Sequence, residues 1–330
     1  MPYDVVSFGE TMFRLTAPPG TRLENATNLQ IYIGGTESNT LASLARLDLK
    51  VAWLSALPDN PTGRNVVREL RSHGVDTSSV MWTEAASRLG TFYVEEAVGP
   101  LGIQVYYDRA NSACALIDSE AVDYTVVDTA RMLHLTGITP ALGKQTSIVF
   151  QRLLELARAR QVPLSFDVNY RAKLWSAAEA ARQIEEACRQ ASILFCSLLD
   201  AAELWGFTGD AEAVLRQMDG RFGSEGKRLV LTLGSEGSAQ LENGNYTYEP
   251  AFATEGTFRF GSGDAFDAGY IYACLDGSLY LEMQQAHGTT ALAFGNALAA
   301  LKRCIPGDIA IIGPSDVRRL LESQEGRRFR

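Results

Sequence analysis

Residues 163–196 read PLSFDVNYRAKLWSAAEAARQIEEACRQASILFC, and this stretch decides the fold. Pro163–Phe166 is a short apolar run with the character of a buried strand, and it passes directly into Asp167-Val168-Asn169-Tyr170-Arg171. Ala177–Gln190 follows as a helix and Ser192–Cys196 as a second apolar run. Strand, helix, strand within about 30 residues is the pattern of parallel strands joined by a crossover. The pattern extends in both directions. Upstream, Leu133–Leu135 is strand-like, ends in Thr136-Gly137-Ile138, and is followed by a helix over Gln145–Arg160. Nearer the start, Tyr3–Phe8 reads as a strand closed by Gly9-Glu10, Thr40–Leu47 as a helix, Val51–Ala56 as a strand and Thr62–His73 as an amphipathic helix closed by Gly74. Downstream come a short helix at Asp200–Trp205, a strand at Arg228–Leu233, and two helices, Asp264–Leu275 and Leu279–Leu301. Strands alternating with helices in this way imply an α/β fold, a doubly wound, mostly parallel sheet with helices on both faces.

Two segments depart from that rhythm. Residues 11–33 hold proline, glycine and loosely alternating apolar residues, and Leu89–Arg109 alternates again through Thr91, Tyr93, Glu95, Val105 and Tyr107. Half-exposed strands show this period of two. The two segments are expected to pair as a small β-sheet lid over a single domain spanning residues 1–330. In a parallel sheet ligands bind beyond the carboxyl ends of the strands. Gly34-Gly35, Gly137, Asp167–Arg171, Ser197, Gly234 and Gly261–Asp264 all fall at such ends and are expected to converge on one cleft.

The chemistry is placed at Thr257-Phe258-Arg259-Phe260-Gly261-Ser262-Gly263-Asp264-Ala265-Phe266. A Gly-x-Gly turn opening a helix leaves backbone N–H groups unpaired at the positive end of the helix dipole, which suits an anion. Asp264 would repel that anion unless it has a task of its own. The task expected is general base, accepting a hydroxyl proton while the N–H groups of Gly261, Ser262 and Gly263 stabilise a phosphoryl group in transfer. Taken alone, the same pattern is also that of an aspartate N-cap on an ordinary helix.

Bulk properties narrow the field. The 330 residues are 46% apolar, enough for a full core, and the net charge of −9 argues against an extended nucleic-acid or anionic-membrane surface. The basic end (Arg318, Arg319, Arg327, Arg328, Arg330) reads as a solvated, fraying terminus. Five scattered cysteines without a C-x-x-C fit a reducing cytoplasm rather than disulfides or zinc. The N-terminal run carries no signal-peptide or membrane-span pattern. No G-x-G-x-x-G follows the first strand, Gly226-Lys227-Arg228 fails the P-loop pattern, and a G-x-S-x-G elbow is missing.

Read in order, Gly34-Gly35 with Asn39, Asp167-x-Asn169-x-Arg171, Thr232-x-Gly234-x-x-Gly237, Gly261-x-Gly263-Asp264 and Asn296 ahead of Pro306-Gly307 resemble the ribokinase-like, or PfkB-type, carbohydrate kinases almost end to end. Three further stretches are most similar to the branch acting on 2-keto-3-deoxygluconate: Gly9-Glu10, Leu133–Thr139 and Val105–Ala113. The resemblance implies ATP and Mg²⁺ as cofactors and a small sugar acid as acceptor. It places Tyr107, Arg109 and Arg171, with Tyr93, against the acidic sugar. Gly34, Gly35 and Asn39 would meet the sugar hydroxyls, together with Ile138 and Asn169. Thr232, Gly234 and Gly237 would line the nucleotide phosphates and ribose, with Ser197 beside them and Asn296 near the base. A planar guanidinium suits a carboxylate because it offers two parallel hydrogen bonds. Read without the family, Arg109 is an exposed hairpin arginine and Arg171 a partner of Asp167.

The departures from the family carry expectations too. Phe258 and Phe260 replace the Asp and Thr found around a monovalent cation in some relatives, so no such site is expected. Arg259 replaces the intervening Thr and puts a cation beside the triphosphate path. Ser197-x-x-Asp200 replaces an Asn-x-x-Glu element, leaving Asp200 to meet magnesium only through water. A kinase for a neutral sugar or nucleoside, and a catalytically silent sugar or nucleotide binder, remain the competing readings. A homo-oligomer formed through the lid is expected by analogy with the family.

Overall fold

The structure, a computed structural model, describes residues 3–96 and 102–323. In chain order its strands and helices begin with β1 (Tyr3–Phe8), β2 (Met12–Thr16), β3 (Gln30–Gly34), α1 (Thr36–Ala45), β4 (Val51–Pro58), α2 (Pro61–Ser72) and β5 (Val80–Thr83). Then come β6 (Thr91–Glu96), β7 (Ile103–Asp108), β8 (Ala130–Thr136), α3 (Lys144–Arg160), β9 (Leu164–Asp167), α4 (Ala177–Gln190), β10 (Ile193–Ser197) and α5 (Leu198–Trp205). The chain closes with α6 (Ala211–Phe222), β11 (Arg228–Thr232), β12 (Gly237–Glu242), β13 (Asn245–Pro250), α7 (Ser262–Cys274), α8 (Ser278–His287), α9 (Ala291–Lys302) and α10 (Pro314–Glu322).

The apolar strands cannot leave either face in water, and the helices cover both. Along β10, Leu194 and Cys196 join the core under α3, α4 and α6, while Ile193 and Phe195 join the core under α1, α7 and α9. The main sheet runs β13-β12-β11-β10-β9-β8-β1-β4-β5. Pairing is parallel from β11 through to β5, and β12 and β13 add an antiparallel hairpin at one edge. Strand order reverses between β1 and β8, which opens a crevice at their carboxyl ends. The second sheet runs β3-β2-β6-β7, with β2 parallel to β6, so the segments at 11–33 and 89–109 do pair.

Several boundaries correct the sequence reading. The helix expected over Thr40–Leu47 starts one turn earlier, at Thr36, because Gly35 serves as its cap. The continuous helix expected over Leu279–Leu301 is two helices: Gly288 is left-handed and closes α8, and the Thr290 hydroxyl accepts the Ala293 N–H to open α9. Strands β5, β12 and β13 and helices α6 and α10 had no counterpart in that reading. All five cysteines are free. Among the described residues no helix is long and apolar enough to cross a membrane. Of the basic end, Arg327, Arg328 and Arg330 lie outside the described residues.

Candidate active site

Helix α7 opens on Gly261, whose φ of 77° is a left-handed conformation that glycine adopts without strain. A side chain there would collide with the Asp308 carbonyl. The Ser262 N–H turns back to the Arg259 carbonyl at 3.3 Å, and so does the Ser262 hydroxyl at 2.8 Å. That leaves the N–H groups of Gly263 and Asp264 without a main-chain acceptor among the described residues, as the first turn of a helix dictates. The Asp264 side chain does not cap its own helix. It crosses to α1, where Thr36 Oγ1 donates to Oδ1 at 2.5 Å and Asn39 Nδ2 donates to Oδ2 at 2.7 Å. Thr36, Asn39 and Thr40 share one face of α1 only because that helix begins at Thr36.

Asp264 borders the larger of two adjoining cavities, of about 520 Å³. Gly34, Gly35, Thr36 and Asn39 line it from β3 and α1, Ile138 from the end of β8, and Asp167, Asn169 and Arg171 from the end of β9. The small sheet closes it with Met12, Phe92, Val105, Tyr107 and Arg109. Ser197 and Asp200 lie on this cavity as well, so Ser197 is apart from Gly234 and Gly237, the glycines with which the resemblance grouped it. Tyr93 is not brought in. Strand side chains alternate, so Phe92 and its neighbour Tyr107, with ring centroids 5.6 Å apart, face the cavity while Tyr93 faces the other way.

The second cavity, of about 420 Å³, is lined by Gly234 and Gly237 beyond β11, Ser262, Asn296 and Ala299 on α9, and Arg303 just past its end. Thr232, Arg259 and Gly263 border both cavities, so the Gly-x-Gly turn marks their junction. The Asn296 amide is already occupied: it accepts from Ser238 at 3.1 Å and donates to the carbonyls of Glu249 and Pro250 at 3.1 and 3.2 Å. Asn296 thus anchors the β12–β13 hairpin to α9, and the cavity wall it forms has little hydrogen bonding left to offer.

Charges around Asp264 are strongly coupled to burial. Burial raises its own carboxyl, opposed by the hydrogen bonds from Thr36 and Asn39 and by the positive charges of Arg171 and Lys302. Burial, then the charges of Asp200 and Asp264, push Asp167 up to about 7, against Arg171 and the Asn169 amide. Asp267, one turn along α7, is raised by burial and by the neighbouring charges of Asp167 and Asp264. Glu37, buried on α1, is raised to about 7 by burial, with Thr136 and Thr139 donating to its carboxylate. Gly9 is glycine because that carboxylate fills the space a side chain would need. Asp200 is raised by burial and accepts the Tyr170 N–H at 3.4 Å. Among the described residues no three acidic, histidine or cysteine side chains converge as a metal cage. Asp200, the residue expected to meet a divalent cation through water, lies on the larger cavity.

The two arginines differ. Arg109 is buried and locked to Glu10, with Nε 2.8 Å and Nη2 2.5 Å from one carboxylate oxygen, so it is not an exposed hairpin residue. Ser112 holds the other Glu10 oxygen. Arg171 is exposed, donates to the Tyr170 carbonyl at 2.9 Å, and makes no ion pair with Asp167 or any other described residue. Sequence reasoning missed Thr36, Asp267, Phe92 and Asp308, and it singled out Gly9-Glu10 without its pairing to Arg109. An earlier start to α1 would have pointed to Thr36, since positions 36, 39 and 40 then share a face.

Comparison with known proteins bears on this geometry. Residues 3–312 match the family model described as pfkB family carbohydrate kinase. The chain is 36% identical over 321 residues to the 2-dehydro-3-deoxygalactonokinase of Haloferax volcanii, covering 97% of each protein. It is 29% identical to the 2-dehydro-3-deoxygluconokinase of Bacillus subtilis, over 94% of this chain and 92% of that one. Among solved structures, the 2-dehydro-3-deoxygluconokinase of Thermotoga maritima superimposes with a TM-score of 0.89 at 27% identity, over 98% of this chain and 99% of the other.

Proposed function

Because the chain belongs to the pfkB family of carbohydrate kinases, and is therefore a phosphotransferase, we propose that it phosphorylates a primary hydroxyl of a 2-keto-3-deoxy sugar acid at the expense of ATP. The acceptor in this reading is 2-keto-3-deoxygluconate or its C4 epimer, the substrates named for the Bacillus subtilis and Haloferax volcanii relatives. The observation that carries the reading is the junction itself. A carboxylate and the free N–H groups of a helix start meet where a roofed cavity, acidic apart from Arg109, Arg171 and Arg259, adjoins a second one shaped by Thr232, Gly234 and Gly237.

The acceptor occupies the larger cavity with its carboxylate toward Arg171 and its primary hydroxyl toward Asp264. The triphosphate enters from the second cavity past Arg259. Magnesium, when bound with the nucleotide, offsets phosphate charge. Asp264 accepts the hydroxyl proton, and the N–H groups of Gly263 and Asp264 face the phosphoryl oxygens. Phe92 and Tyr107, on the small sheet, exclude water from the acceptor. No potassium requirement is expected. Phe260 packs over the Arg14 guanidinium at 4.6 Å, and the Lys302 ammonium is buried against the Ile305 carbonyl, so built-in cations already lie behind the turn. The row Ile31, Leu15, Tyr93 and Tyr106 across the outer face of the small sheet supports a homo-oligomer, with another copy covering it.

The Glu10–Arg109 pair favours a second reading. A neutralised arginine gives a sugar acid less attraction, and a neutral hexose or pentose would then fit as well. ADP release by the purified protein, assayed over a panel of neutral and acidic sugars, separates the two. Turnover confined to 2-keto-3-deoxy acids supports the first reading. Equal turnover of fructose or ribose supports the second, and no ADP release on any sugar defeats both.

A further inference from the structure

The carboxylate of Asp264 receives hydrogen bonds from two side chains of α1, and one of them is itself aligned by a third residue. Asn169, at the carboxyl end of β9, is 7% exposed and holds a left-handed backbone, φ 40°, which asparagine tolerates better than most residues. Its amide nitrogen donates to Asp167 Oδ2 at 2.9 Å and to Thr36 Oγ1 at 2.9 Å. Its carbonyl oxygen is buried with no partner among the described residues. A threonine hydroxyl has one proton. With the Thr36 oxygen already accepting from Asn169, that proton is directed to Asp264 Oδ1, 2.5 Å away. The series from Asn169 through Thr36 to Asp264 therefore runs in one direction, with Asp167 holding the other proton of the Asn169 amide.

We propose that Thr36, aligned by Asn169, is a positioning residue that turns Asp264 toward the acceptor cavity and holds it in the form able to take a proton. The inference rests on the general-base reading of Asp264 and deepens it. Asn39 and Thr36 each occupy one lone pair of a different carboxylate oxygen, so a lone pair on each stays open to an acceptor alcohol. A hydrogen bond donated to a carboxylate favours its ionised form, and burial opposes that form here. The other charged groups facing Asp264 are Glu37 on α1, Asp167 at the end of β9 and Arg171 beyond it, Asp267 on α7, and Lys302 and Asp308 at and beyond the end of α9. Of these only Asp167 is tied to the Thr36 hydroxyl, through Asn169, so a shift in pH response reads the Asn169–Thr36–Asp264 chain.

The test compares wild type, Thr36→Val and Thr36→Ser with ATP and either 2-keto-3-deoxygluconate or 2-keto-3-deoxygalactonate from pH 5 to 9, following kcat and kcat/KM. In Thr36→Val the acid limb moves up by about one to two pH units, and the rate on that limb falls about tenfold per unit moved. Thr36→Ser stays near the wild-type profile, and ATP affinity is unchanged in both. If Val prevents folding, Thr36→Ala is read against the same profile. A Val or Ala variant whose acid limb and rate stay within about twofold of wild type overturns the proposal, as does a Ser variant as impaired as Val. Asp264→Asn is assayed in parallel. If it keeps its rate the general-base reading itself has failed, and if it is inactive while Thr36→Val is normal only the role of Thr36 has failed.

Discussion

Acceptor recognition depends on the different fates of two arginines. Arg109 has its charge met by Glu10 beneath the small sheet, whereas Arg171 faces the same cavity with no described carboxylate bound to it. Removing Arg171 should therefore weaken a sugar acid far more than a neutral sugar. Arg171→Ala is expected to raise KM for 2-keto-3-deoxygluconate at least about tenfold, the scale of one charge-assisted hydrogen bond, and to leave any residual fructose turnover unaltered. Equal losses on both sugars would assign Arg171 to structure instead. At this scale the sequence was informative where a residue type is chemically odd for its place. An aspartate after Gly-x-Gly marks itself, and so does an arginine two residues beyond a buried asparagine. It was uninformative where the choice depends on which face of an element is buried. Tyr93 and Phe92 are adjacent aromatics, and only the register of β6 against β2 and β7 decides which one meets the acceptor.

Strands, helices and their junctions tie the small sheet to the Gly-x-Gly turn. Arg14 on β2 is 2% exposed, lies between the rings of Tyr32 and Phe260 at 4.3 and 4.6 Å, and pairs with Asp308 at 3.1 Å. The Asp308 carbonyl in turn supports Gly261. Replacing Arg14 leaves a buried carboxylate unpaired, a loss of about 3–5 kcal/mol. Arg14→Met should lower the melting temperature by several degrees and reduce turnover, and adding Asp308→Asn should restore part of the stability. A single variant that melts with wild type would show the pair to be dispensable. The parallel strands other than β5 were legible because each is a short apolar run closed by glycine or a polar motif. Helix ends were less so. The start of α1 was hidden because Gly35 caps it through backbone geometry, with no side-chain signal. The break after α8 was hidden because the apolar spacing continues across Gly288-Thr289-Thr290. Strand β13 was hard to see because Asn245–Pro250 is largely exposed, with Tyr246 alone packed against the core.

Over the whole molecule, the sheet gathers several carboxyls at one end, and burial raises them above the ordinary carboxylate range. Glu37 is the simplest to read: its value rises from 4.5 to about 7 on folding, with burial the main cause. The folded state holds that proton more tightly than the unfolded chain. Its contribution to stability is therefore complete below about 4.5 and is lost as pH rises through about 7, amounting to about 3 kcal/mol. Wild type should accordingly lose melting temperature between pH 5 and 8, and Glu37→Gln should show a flatter dependence. Identical slopes would mean that Glu37 is ionised in both states. The overall architecture was legible because a doubly wound sheet needs only the alternation of runs, and the cleft followed from where those runs end. What binds there depends on burial and partnership, which sequence carries weakly. The most direct test is ADP release with ATP and 2-keto-3-deoxygluconate by wild type and Asp264→Asn, with thermal unfolding and ATP binding measured on both. The account predicts that Asp264→Asn folds and binds ATP like wild type while its turnover falls by about 10²–10⁴. An Asp264→Asn enzyme that keeps most of its rate would contradict it.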